Sequence, residues 1–224
     1  MPELHVLRVF CAPEGGGGNP LGVFLDRGEV AEGDRQAYAA DLGFSETVFV
    51  ENPSTGELCI FTPAEELHFA GHPLVGTAWL LARERAPVEM LRPPAGEVPV
   101  RREGEMTFIA GRPEWAPHFD FVQVDSPDQV DRLEGPPPGK DMVGVWAWLD
   151  EQAGVVRERV FAPDVGIPED EATGAAAVLL GAQLARPLQI HQGKGSRIVA
   201  TPLENGMVEI GGRVELDDVR AYPA

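Results

Sequence analysis

Cysteine is nearly missing from this chain of 224 residues: Cys11 and Cys59 are the only two. Both stand in strand-like runs with no CxxC spacing, so they read as buried thiols rather than a redox pair. The five histidines include no HExxH, and no metal site is expected. Basic residues are scarce, 18 against 36 acidic ones, and the net charge of −18 argues against nucleic acid and anionic membrane surfaces as partners. Lysine is the rarer of the two bases, at two against sixteen arginines. Genome composition and a hot habitat would both produce that ratio. No apolar run reaches the roughly 18–20 residues that a membrane-spanning helix needs. The opening MPELHVLRVF has neither a basic n-region nor a long apolar core, so no signal peptide is expected and the cytoplasm is the expected location.

What the chain does have is an echo. FTPAEELHFAGHPLVGTAWLLA, from Phe61 to Ala82, returns about one hundred positions later as FAPDVGIPEDEATGAAAVLLGAQL, from Phe161 to Leu184. Each copy opens Phe-x-Pro and runs through an acidic linker to a small residue plus glycine, Ala70-Gly71 and Thr173-Gly174. Each then enters about ten uncharged residues. A helix apolar on every face must be buried on every face. Both runs are rich in Ala, Gly and Leu rather than β-branched residues, so the composition predicts helices. Pro73 suits a first helical turn and Thr173 suits a cap. A buried helix that starts at glycine leaves free N–H groups and a positive dipole end, which can hold an anion. Two such ends, one per half, could face each other across a cleft; the alternative is two core helices of a duplicated fold with no ligand.

Around these helices the pattern is one of short strands. Leu4–Phe10 and Leu21–Leu25 flank a glycine-rich stretch, Glu14 to Pro20, read as a flexible turn. It is not a phosphate loop, for it lacks GK[ST] and a strand follows it. Ala31–Leu42 has helical spacing and Gly43 ends it. Strands are expected over Thr47–Val50, Leu58–Phe61, Val98–Arg101, Met106–Ala110, Phe119–Val124, Val143–Leu149, Val155–Phe161, Arg197–Ala200 and Met207–Ile210. Ser126 is expected to cap a short helix over Pro127 to Leu133. The pattern predicts an α+β fold of two halves, 1–96 and 97–224, with the tail from Val214 crossing back to complete the first.

Two carboxylates stand out by position. Glu46 lies in Phe44-Ser45-Glu46-Thr47 at a helix-to-strand junction, and Asp170 lies four residues before Gly174. Near a helix start in a closed cleft, such groups can exchange protons with carbon or oxygen. Burial would raise their pKa values and a helix terminus would lower them. With 36 acids present, solvation is the competing reading. His72 could donate or accept a proton beside the first helix, although a histidine next to proline is commonly structural.

FSETVFVE, FTPAEELHFAGHPLVGTA, FAPDVGIPEDEATGAAA and the early GGNPLGVFLD together resemble the PhzF-like, phenazine-biosynthesis-type isomerase family. The match runs in order through nearly the whole chain. That family is similar in fold to diaminopimelate epimerase, which implies two pseudo-twofold halves. Each half would be an antiparallel strand barrel around a central buried helix, with the site between them. The resemblance implies a cofactor-independent isomerase or epimerase acting on a small carboxylate-bearing metabolite. A homodimer is implied too. By the same resemblance Glu46 is the acid/base, and His72 and Asp170 orient the substrate and relay protons. Gly71 and Gly174 hold its carboxylate, and Ser45 and Ala175 line the substrate. The family often reads ATGSA where this chain has Ala172-Thr173-Gly174-Ala175-Ala176, so Ala175 removes a hydroxyl. Position 171 is Glu rather than Pro, and the loop Gln192 to Arg197 is short. These departures also admit a non-catalytic member that only binds a small carboxylate. A thiol racemase is disfavoured, because Ala70 and Thr173 stand where its cysteines would be.

Overall fold

A computed structural model describes residues 1–25, 30–163 and 166–222. The first part of the chain forms β1 (Glu3–Cys11), β2 (Gly17–Phe24), α1 (Arg35–Leu42), β3 (Glu46–Asn52), β4 (Glu57–Phe61), β5 (Glu66–Leu67), α2 (Gly71–Glu84), β6 (Met90–Leu91), β7 (Val98–Glu103) and β8 (Met106–Gly111). The second part repeats the order of elements that the first shows from β2 onward. It comprises β9 (Asp120–Gln123), α3 (Pro127–Asp131), β10 (Val143–Asp150), β11 (Val155–Ala162), β12 (Ile167–Asp170), α4 (Gly174–Leu184), β13 (Leu188–Gln192), β14 (Ser196–Pro202) and β15 (Val208–Ala221).

Strand pairing closes the first part into a ring. β1 pairs β2, β2 pairs β3, and β3 pairs β4. The ring continues from β4 to β6 through a parallel bridge between Glu57 and Arg92, with Arg92 N–H donating to Gly56 O at 2.7 Å. β6, β7 and β8 then run antiparallel to β15, whose far end returns along β1 from Cys11↔Arg213 to Glu3↔Ala221. Pairing therefore carries the first ring to Gly111, past the expected division at residue 96. The second ring runs β9–β10–β11–β13–β14–β15, and among the described residues no ladder joins β8 to β9. It is open there.

The ladders are not all antiparallel as the strand pattern had suggested. β2–β3, β9–β10 and β11–β13 are parallel. Each of these pairs is joined by a crossover that contains a helix, α1, α3 and α4 respectively, as parallel neighbours require. The β4–β6 bridge, which spans α2, repeats that geometry.

The two uncharged runs form the expected helices. In α2 every residue from Gly71 to Ala78 is buried, and the helix becomes exposed only near Arg83 and Glu84. It packs on β1, β2, β3, β8 and β15. The approach is close because Gly76 has no side chain. A Cβ there would lie 2.6 Å from Leu21 Cδ2 and 2.8 Å from Val9 Cγ2. Leu74, Leu80 and Leu81 are wholly buried, and each such side chain contributes roughly 1.5–3 kcal/mol by leaving water. One continuous core joins Leu7, Val9 and Leu74 of the first ring to Val178, Ile190 and Ile198 of the second.

Several local expectations are corrected. β2 begins at Gly17, inside the stretch read as a turn. Neither Thr173 nor Ser126 makes a side-chain cap bond. The Thr173 hydroxyl is engaged elsewhere: it donates to Asp170 Oδ2 and accepts from Gln192 Nε2. α3 stops at Asp131. Cys11 is buried, but Cys59 alternates toward the less covered face of β4 and is only half-buried.

Candidate active site

The two glycines that start α2 and α4 touch. A Cβ built on Gly71 would lie 2.7 Å from Gly174 Cα, and one built on Gly174 would lie 2.7 Å from Gly71 Cα. Only residues without side chains allow the two helix starts to meet this closely. The first intrahelical bonds run from Leu74 N–H to Ala70 O and from Ala177 N–H to Thr173 O. The amides of Gly71, His72, Gly174 and Ala175 lie ahead of these bonds, and neither helix has a side-chain cap. The positive ends of two buried helices thus converge at the seam between the rings.

A cavity of about 760 Å³ opens beside them. Ala70, Asp170, Thr173 and Ala175 line it at the helix starts, and Glu46 lines it from the beginning of β3. Phe69, Trp115, Phe119 and Met142 give it an apolar wall. Among the described residues no arginine or lysine lines it, and the helix amides are anion-seeking groups at its polar end. Ser45, His72, Gly71 and Gly174 do not line the cavity and lie next to residues that do.

Glu46 keeps 13% of its side chain exposed, while His72 keeps 3%. Glu46 Oε2 and His72 Nε2 are 3.5 Å apart, and among the described residues neither atom has a hydrogen-bond partner. Burial raises the Glu46 carboxyl to about 7, against a weaker lowering by a hydrogen bond from Ser45. Burial also lowers His72 to about 4, against the opposing pull of Asp170 and a hydrogen bond to the Pro20 carbonyl. The ring is therefore neutral at physiological pH. Its Nδ1–H points to Pro20 O, which leaves Nε2 as a lone-pair acceptor facing Glu46. A proton on Glu46 can be shared with that nitrogen.

Asp170 completes the group from the end of β12. Its Oδ1 accepts from Asn19 Nδ2 at 2.7 Å and its Oδ2 accepts from Thr173 Oγ1 at 2.6 Å. Burial, then the nearby Glu46 charge, raises it to about 6, while His72 and the two hydrogen bonds lower it. Two neighbouring buried carboxyls resist ionising together, so both are held above the usual carboxylate range. Groups poised in this way can take a proton from carbon and return one. Among the described residues no three His, Cys, Asp or Glu side chains gather as metal ligands.

Sequence reasoning missed three side chains here. Asn19, in the stretch read as a flexible turn, is buried and also donates to Ala172 O at 2.9 Å. Gln192 is fully buried; its Nε2 donates to Asp170 O and Thr173 Oγ1, both at 2.9 Å, and its Oε1 accepts from Thr173 N–H at 3.0 Å. Ser196 accepts from Gly18 N–H at 2.8 Å. The available signal for Asn19 was a polar residue in an otherwise apolar strand, GGNPLGVF; Gln192 stands in LQIHQ, where Gln189 and His191 are polar too, and nothing marked it out.

The phenazine biosynthesis-like protein family model matches residues 8–134. The trans-2,3-dihydro-3-hydroxyanthranilate isomerase of Pseudomonas aeruginosa is 30% identical, over 81% of this chain and 80% of that protein. A phenazine biosynthesis protein of the PhzF family from Enterococcus faecalis superposes with a TM-score of 0.80, at 22% identity, over 99% of both chains. A hydroxyproline epimerase from Agrobacterium vitis shares the fold at a TM-score of 0.63 and 11% identity, over 98% of this chain and 90% of that one. On its matched family model and a relative matched over four fifths of both chains, this chain belongs to the phenazine biosynthesis-like, PhzF family.

Proposed function

We propose that this chain is an isomerase that moves a proton on a small carboxylate-bearing molecule by acid/base chemistry of its own side chains, without a cofactor. The observation that carries the reading is the buried, unpartnered pair of Glu46 Oε2 and His72 Nε2 beside two uncapped helix starts. The amides at Gly71 and Gly174 hold the substrate carboxylate and stabilise charge that builds on it when a neighbouring C–H loses its proton. Ionised Glu46 takes that proton. His72, neutral and accepting at Nε2, steadies the protonated form, and the proton returns to another carbon of the same molecule or to the opposite face of the same one. Asp170, held by Asn19 and Thr173, orients the substrate and relays protons. Ser45 tunes Glu46 through its hydrogen bond. The substrate sits in the seam between the two halves, and the working form is a cytoplasmic homodimer.

The reading is tested by solvent deuterium incorporation into a panel of small carboxylic acids. The panel includes trans-2,3-dihydro-3-hydroxyanthranilate, which the relative from Pseudomonas aeruginosa is named for. Incorporation at carbon supports it; binding of a panel member with no incorporation by any supports the second reading instead. That second reading is a non-catalytic carboxylate binder of the same fold. Ala175 favours it, since this residue presents only a methyl to the cavity where the family resemblance has a hydroxyl.

A further inference from the structure

We propose that Glu171 is a positioning residue: through Ser196 and Gly18 it sets Asn19 against Asp170. Glu171 follows Asp170 in the chain, and its side chain goes to the turn between β13 and β14 instead of to the cavity. Its two carboxylate oxygens accept from Lys194 N–H at 2.9 and 2.8 Å, and Oε1 also accepts from Ser196 Oγ–H at 2.8 Å. The same Ser196 oxygen accepts from Gly18 N–H at 2.8 Å. The next residue is Asn19, whose amide nitrogen spends both hydrogens on the Asp170 loop, one on Oδ1 and one on Ala172 O. The chain Glu171–Ser196–Gly18–Asn19–Asp170 therefore closes on itself across the seam between the rings.

The glycine run explains why such an anchor is needed. Gly15, Gly16, Gly17 and Gly18 have φ of +84°, +89°, +61° and +88°. Glycine adopts these angles at no steric cost, and it loses more conformational entropy on ordering than any other residue. The run thus has no stiffness of its own with which to place β2. It is paired to β1, from Cys11↔Gly17 to Val9↔Asn19, and Arg8 Nη1 donates to Gly17 O; its fixed points beyond β1 are two, at the β13–β14 turn and the first residue of β14. One is the Gly18 bond to Ser196, and the other is the contact of Gly17 with Gly195, where a Cβ on Gly17 would come within 2.5 Å of Gly195 C. Glu171 holds that turn. Removing its carboxylate frees Ser196 and the turn together, and Asn19 is the first side chain downstream. Asn19 stabilises the ionised form of Asp170, so loosening it raises the Asp170 pKa. The other groups facing Asp170 are Glu46 from β3, His72 from α2 and Thr173 ahead of α4; none is bonded to Glu171.

The kinetic consequence rests on the proton-transfer reading of Asp170, but the titration does not. Carboxyl-carbon NMR titration of Asp170, assigned with Asp170→Asn, compares the wild type with Glu171→Ala, Glu171→Gln and Ser196→Ala. The expected result is an upward shift of about one pH unit in Glu171→Ala and Ser196→Ala. A smaller shift is expected in Glu171→Gln, whose amide oxygen still accepts from Ser196. Folded Glu171→Ala and Ser196→Ala proteins with the wild-type Asp170 titration would overturn the proposal. Should Glu171→Ala fail to fold, Ser196→Ala decides alone, because it leaves the carboxylate and its Lys194 bonds in place. A wild type that exchanges no substrate proton, alongside shifted titrations in the variants, refutes the proposed activity and leaves this assignment standing. Unshifted titrations in an active enzyme do the reverse.

Discussion

Glu158 gives a prediction whose size follows from the structure. It lies on β11, wholly buried, and among the described residues neither carboxyl oxygen has a hydrogen-bond partner. Its Oε1 occupies space that exists because residue 144 is glycine; a Cβ there would be 2.7 Å away, and Phe121 closes the same side. Burial pushes its pKa from 4.5 up to about 8, with the neighbouring Arg157 opposing. The folded protein therefore keeps a proton that the unfolded chain gives up above about pH 4.5. Where the native state binds more protons, stability falls as pH rises, at about 1.4 kcal/mol per unit for one group. Between pH 5 and 8 this single carboxyl costs the wild type about 3 kcal/mol relative to a neutral isostere. Denaturant unfolding of the wild type and Glu158→Gln at pH 5, 6, 7 and 8 isolates it, since all other titrating groups are common to both. The two stability curves should diverge in favour of Glu158→Gln as pH rises and level off above about pH 8. Parallel curves would refute the assignment of a buried, unpaired carboxyl.

Three further outcomes follow. Gly71→Ala places a methyl 2.6 Å from Ile210 Cδ1 and 2.7 Å from Gly174 Cα. It should cost about 1–3 kcal/mol by overpacking, and an unchanged melting temperature would mean that the helix starts do not meet as described. Ala175→Ser restores a hydroxyl at a buried cavity wall; ligand affinity or substrate preference should change while the melting temperature stays close to that of the wild type, and a change in stability alone would place residue 175 outside the binding site. Because the Glu46 carboxyl is raised to about 7, proton exchange that needs its ionised form should climb as pH rises through about 7; a flat rate from pH 5 to 9 would show that Glu46 is not the base.

The parts of the fold legible in the sequence were those with a one-dimensional signature. Two charge-free runs starting at glycine, rich in Ala, Gly and Leu, favoured buried helices over strands, and α2 and α4 are those helices. Hairpins with clear turns, such as β10–β11 and β7–β8, were legible too. The two-residue strands β5 and β6 were not, since two residues carry no periodicity. The parallel ladders were missed because pairing depends on which crossover brings strands together, not on the alternation within one strand. Glu46 is a single acid among 36, and its environment comes from β2, β3 and α2 meeting in space; motif resemblance, not pattern, singled it out. Asn19 and Gln192 were hidden for a related reason. A glycine-rich run reads as loose until its anchor on Ser196 is seen, and a glutamine in a short strand gives no sign that it faces inward.

The central claim, that Glu46 carries the proton, is tested most directly by Glu46→Gln. The variant keeps the side chain's size and an amide at the same place but cannot take a proton at neutral pH. With the carboxylic acid that the wild type labels from deuterated solvent, exchange at carbon should fall by ~10²–10⁴-fold, or about 3–5 kcal/mol of barrier. Binding of that acid should persist or tighten slightly, because the helix starts at Gly71 and Gly174 hold its carboxylate and a negative neighbour has been removed. Exchange at the wild-type rate in a folded Glu46→Gln protein would contradict the account.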